Sequence, residues 1–196
     1  QAVNEGAKVI LGPLFGEAAN AAGVAVAPSN VNVLAFSNNP TIAGGNVFIL
    51  GATFSNTANR LVDYASRQGI NRYQIVHGND LQGQVGRDAI ASAVRNSGGQ
   101  VTGIEGYPLS QTGVESAASR IADATRSGGA QAIMMTAGVN ADLPILATAL
   151  PSAGVDPSAT RFIGITRWNA APQALSLPGL QGGLFAMPDQ GQSNLF

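Results

Sequence analysis

Ser37, His77 and Asp80 supply a nucleophile, a base and an acid, and His77 is the single histidine of the chain. Acyl transfer at a serine usually relies on a G-x-S-x-G elbow between strand and helix, and the sequence has none. A lone histidine at a strand end is more often packed or hydrogen-bonded than catalytic. No second histidine or carboxylate cluster joins it to form a metal site. With no cysteine, disulfides, thiolate metal sites and a cysteine nucleophile are excluded. The other chemistry-bearing residues suit binding. Gly12-Pro13-Leu14-Phe15-Gly16 lacks the lysine of a phosphate loop, and no G-x-G-x-x-G follows a strand. It is either a tight strand exit or a set of backbone amides, Gly16 among them, that meets an anionic group at a helix start. Ser37, Asn38 and Asn39 either satisfy their own backbone in a turn or aim donors at a ligand carboxylate or amide. Asp80, near Gln82, is a helix cap or a cleft residue. Arg167, Trp168 (the only tryptophan) and Asn169 either pack at a domain boundary or grip a small anionic or sugar-like group.

The elements that must position these groups follow from hydrophobic pattern and punctuation. Strands are predicted at 8–11, 31–36, 47–50, 73–77, 101–107, 132–135, 162–165 and 183–187. The run at 8–11 has no alternation, which predicts burial on both faces. Helices are predicted at 17–26, 53–68, 84–96, 114–127 and 142–150. Thr53 or Ser55 would cap the second of these and Gly69 would end it. Strand and helix alternate, the pattern of parallel sheets covered by helices. Ligands of such folds sit on the loops at the carboxyl ends of strands. Here those loops are 12–16, 37–40, 78–83, 136–140 and 166–169, so Gly138 joins the candidates.

Of the 196 residues, 45% are hydrophobic and only 11% charged, and the formal net charge is −1. One good core or two small ones can form. The balance gives no nucleic-acid footprint and no basic membrane surface. No run reaches the roughly 18 apolar residues of a membrane span. No cofactor motif appears. Gln1 falls inside what reads as a helix leading into a strand, so the expectation is that an N-terminal part is missing.

The order of these pieces resembles the type I periplasmic binding-protein family, in particular its branched-chain amino-acid receptors. Residues 6–13 (GAKVILGP), 33–40 (VLAFSNNP), the strand at 47–50 and residues 69–76 (GINRYQIV), with the loop holding Asp80 and Gly83, carry the likeness. The phrases at 10–14 (ILGPL), 34–37 (LAFS) and 182–189 (GGLFAMPD) look most like the envelope lipoproteins called penicillin-binding-protein activators, which share the fold. The resemblance implies an α/β fold of two lobes with a cleft between them. Residues 1–51 would be part of the first lobe, 52–188 the second, and 189–196 the start of a return to the first. Crossings would fall near Gly51-Ala52 and Met187-Pro188. The family's opening strand and closing helices would be absent. It also implies departures. Amino-acid receptors place a serine in the loop after the Gly-Pro strand; here that loop is Leu14-Phe15-Gly16-Glu17. Glu17 would repel a ligand carboxylate by roughly 4 kcal/mol at 4 Å and an effective dielectric of 20.

The expectation is thus a non-catalytic recognition protein of the periplasm or cell envelope. It would act as an activator-type partner of a cell-wall synthase or bind a small polar ligand. The alternative is a solute receptor feeding an ABC permease for amino acids or related molecules. The candidate site is Gly16, Ser37, Asn38 and Asn39 from the first lobe, with Asp80, Gln82, Gly138, Arg167, Trp168 and Asn169 from the second. Replacing Asn38 with Ala is expected to weaken a cleft ligand without unfolding the chain; calorimetric titration beside a circular dichroism spectrum checks this.

Overall fold

The computed structural model describes residues 2–37, 40–50 and 53–187. Asn38 and Asn39, the expected crossing at Gly51-Ala52, Pro188 of the second expected crossing and residues 189–196 lie outside the described residues. The chain divides into two compact units, up to Asn56 and from Thr57.

In the first unit the strands β1 (Val9–Leu11), β2 (Asn32–Ala35) and β3 (Val47–Ile49) pair in that order, all parallel. Helix α1 (Gly16–Val26) crosses one face, where Ala19, Val26, Val33, Ala35 and Val47 are buried. Gly23 makes the approach possible, because a methyl there would overlap the Val47 side chain. The opposite face carries Val9, Leu11, Phe48 and Leu50, all exposed. Burial of the first strand on both faces was expected, and the structure corrects this. Its non-alternating run is apolar on both sides, but among the described residues of this unit α1, with Val3 and Ile42 beside it, packs on one face of the sheet while Val9 and Leu11 stay exposed on the other.

The second unit orders its strands β5-β4-β6-β7-β8, again all parallel. They are β4 (Arg72–Gly78), β5 (Gln100–Tyr107), β6 (Ala132–Met135), β7 (Arg161–Gly164) and β8 (Leu184–Phe185). The helices are α2 (Phe54–Arg67), α3 (Leu81–Asn96), α4 (Gln111–Ser127) and α5 (Leu143–Ser152). Val76, Ile133 and Met135 lie on one sheet face and pack in a core with Val114, Ile121, Leu146 and Leu150 of α4 and α5. Alternation turns Tyr73 and Ile75 to the other face, and both are fully buried. The Tyr73 hydroxyl donates to the Ile70 carbonyl at 2.8 Å, and burial pushes its pKa up to about 12.

The helix starts are set by side chains. Thr53 Oγ1 accepts from the Asn56 amide at 3.1 Å, as its expected cap role requires. Asp80 and Ser110 cap α3 and α4 by accepting from Gly83 and Gly113. These caps begin α3 and α4 three residues earlier than the expected 84 and 114, because each cap recruits a first turn, Leu81-Gln82-Gly83 or Gln111-Thr112-Gly113, that the pattern leaves as loop. Between β7 and β8 the chain makes three short 3₁₀ turns. No periodic signal marks them.

Trp168 opens the first of those turns. Its indole is 1% exposed and stacks on Phe185 with centroids 5.8 Å apart and planes at 29°. A methyl on Gly164 or Gly183 would run into the indole. Gly164→Ala should therefore overpack the site and cost roughly 1–3 kcal/mol. Urea unfolding followed by fluorescence of the single tryptophan would show this as a lower midpoint at unchanged slope.

Candidate functional site

Because every strand of the second unit points the same way, the loops after β4, β5, β6 and β7 leave the sheet at one edge. Helix α3 sits close over that edge, and two glycines permit it. A methyl at Gly83 would overlap the Gly78 carbonyl, and one at Gly86 would press on Thr136 and Ile165. The Gly78 amide donates to Thr136 Oγ1 at 3.2 Å, tying the loop after β6 to the end of β4. Thr166 Oγ1 donates to the Ala137 carbonyl at 2.7 Å, tying it to the loop after β7.

Asp80 is exposed, and its Oδ1 accepts the Gly83 amide at 3.1 Å. It is the cap of α3, at the sheet edge. Gln82 is exposed on the first turn of α3. Gly138 is partly exposed, and its amide donates to Asp142 Oδ1 at 2.8 Å. Arg167 is exposed beside the buried Trp168. Asn169 is half-buried, and its Oδ1 is sealed with no hydrogen-bond partner. The structure brings Asp80, Gln82, Gly138, Arg167 and Asn169 to one edge of one sheet, and it places the Trp168 ring behind that edge in the core. His77 is buried, with Nδ1 2.8 Å from the Gly78 carbonyl.

The first unit offers its own carboxyl edge. The Gly12 amide donates to the Leu34 carbonyl at 2.9 Å and the Phe36 amide to the Pro13 carbonyl at 3.1 Å, so the loops after β1 and β2 are laced together. Gly16 begins α1, and Phe15 before it is extended and gives no side-chain cap. Glu17 occupies the first turn, where the helix dipole favours an acid. Ser37 is buried.

Sequence reading missed the pair that organises the second edge. Tyr107, fully buried at the end of β5, donates its hydroxyl to Asp142 Oδ2 at 2.5 Å. Burial, and then the bond to Asp142, raise the Tyr107 pKa, so the hydroxyl keeps its proton. For Asp142 alone the usable signal was an acid placed just before an uncharged, mostly apolar helix in a charge-poor chain; nothing local pointed to Tyr107 as its partner. Among the described residues, no group of three or more His, Cys, Asp or Glu is arranged to hold a metal, and no helix is long and apolar enough to cross a membrane.

A family model described as periplasmic binding protein matches residues 1–194. The chain belongs to the periplasmic binding protein family. No curated protein sequence matches it. Among solved structures it is similar to an ABC transporter substrate-binding protein from Desulfitobacterium hafniense, with TM-score 0.68 and 20% identity over 87% of this chain and 50% of that one. A putative branched-chain amino acid ABC transporter protein from Rhodospirillum rubrum aligns with TM-score 0.67 and 18% identity, over 86% of this chain and 47% of that one. A solute-binding protein from R. palustris, solved with 4-hydroxybenzoate, aligns with TM-score 0.61 and 15% identity, over 89% and 48%. The chain thus spans about half the length of the solved structures it matches. At these identities the likeness establishes the fold: α/β, with parallel sheets flanked by helices, of the type I periplasmic binding proteins.

Asp80→Ala should remove the α3 cap and cost about 1 kcal/mol, whereas Asp80→Asn should keep most of it. A ligand contact by the carboxylate would instead be lost in both variants. Thermal unfolding and ligand titration of the pair separate the two roles.

Proposed function

We propose that this chain is the recognition part of a periplasmic solute-binding receptor serving an ABC transporter, and that its ligand is an amino acid or a related small polar molecule. The observation that carries the reading is the second unit's carboxyl edge. There Asp80, Gln82, Gly138, Arg167 and Asn169 gather on a parallel sheet of the substrate-binding-protein fold, and none of them is an activated nucleophile. Recognition without catalysis fits this set. In this reading residues 1–51 belong to the first lobe, 52–188 to the second and 189–196 to a return. Gly16, Ser37, Asn38 and Asn39 are the first lobe's ligand groups, and the ligand supplies the differential contact that favours a closed state.

The likeness of residues 10–14, 34–37 and 182–189 to penicillin-binding-protein activators supports a second reading, an envelope lipoprotein that contacts a cell-wall synthase. Glu17 beside Gly16 favours it, since an acid there opposes a ligand carboxylate. The solved structures of the same fold bear the names of transporter receptors, which weights the first reading.

Thermal midpoints measured with amino acids, hydroxybenzoates, short peptides and cell-wall fragments decide between them. A ligand at a thousandfold its dissociation constant adds about 4.1 kcal/mol, a rise of several degrees. Such a rise with an amino acid or aromatic acid is expected. No rise across the panel would sink the receptor reading and favour the partner-binding one.

A further inference from the structure

Asp142 stands at the cap position of α5, yet its side chain makes no cap bond to that helix. The carboxylate turns back instead. One oxygen takes the Gly138 amide and the other the Tyr107 hydroxyl. It is 7% exposed, and among the described residues no lysine or arginine forms an ion pair with it. A buried charge with no cation is costly unless its lone pairs are filled by well-placed donors, and here the two donors come from different elements. The Gly138 carbonyl in turn accepts the amides of Ala141 and Leu143 at 3.2 and 3.1 Å. The segment from 138 to 142 is therefore a closed turn whose acid is pinned from outside by one phenol.

We infer that Tyr107 is a positioning residue: through Asp142 it fixes the turn at 138–142, and so sets the affinity of the carboxyl-edge site without touching the ligand. The affinity part rests on the receptor reading above. A phenylalanine at 107 would fill the same volume, so the hydroxyl's contribution is the bond alone. Losing it leaves the buried carboxylate one donor short, and the turn must open to water to recover it.

The test uses Tyr107→Phe in the full chain, with Ile121→Val as a control. Ile121 lies fully buried in α4, and its variant lowers stability by packing alone. Amide hydrogen exchange should rise about tenfold or more at residues 138–143 in Tyr107→Phe, with β4 and β6 unmoved. Dissociation constants for L-leucine and 4-hydroxybenzoate, corrected for folded fraction, should weaken about tenfold for whichever probe binds. Ile121→Val should change neither. Unchanged exchange at 138–143, or an equal loss of affinity in Ile121→Val, overturns the inference. Local loosening in a chain that binds neither probe upholds the positioning of the turn and counts against the receptor reading.

Discussion

Parallel pairing of β4 with both β5 and β6 is the constraint from which the rest of the second unit follows. A parallel strand cannot return by a hairpin, so each crossover must be long; those from β4 to β5, β5 to β6 and β6 to β7 carry α3, α4 and α5, and the one from β7 to β8 is spanned by 3₁₀ turns. The helices then need apolar faces on both sides of the sheet, which explains why Tyr73, Ile75, Val76, Ile133 and Met135 are all buried in adjacent strands. The same geometry sends every strand-end loop to one edge. Polar groups far apart in sequence, such as Asp80 and Asn169, are carried to that edge by topology.

The chain builds that edge with little charge. Its hydrogen bonds run through backbone amides, threonine hydroxyls and the carboxylates of Asp80 and Asp142. Asp80 serves a helix start and Asp142 a turn. At the opposite end of the sheet the Arg72 guanidinium donates to the carbonyls of Gly128 and Gly129, closing the end of α4. Surface ion pairs such as Arg67 with Asp63 contribute little by comparison, because both partners remain in water.

Much of the fold was legible in sequence. Alternating strand and helix signals gave the parallel sheets, and Gly69 and Thr53 marked the ends of α2 correctly. Two kinds of feature were not legible. The early starts of α3 and α4 depend on which side chain wins a cap, and the hydropathy of residues 81–83 and 111–113 does not decide that. The Tyr107–Asp142 bond joins positions 35 residues apart, so no local pattern could reveal it. The loops after strands were identifiable as candidate site segments, but the inward turn of Trp168 was not, because it depends on space left by glycines in β7 and before β8.

That space has an evolutionary consequence. Gly164, Gly183 and Trp168 share one volume, so none of the three can drift alone. A methyl at Gly164 is tolerable only after the indole has shrunk, one at Gly183 would press on the Leu180 and Phe162 carbonyls as well, and a smaller ring leaves a void that the two glycines cannot fill. Among homologues, the three positions are expected to change together or not at all.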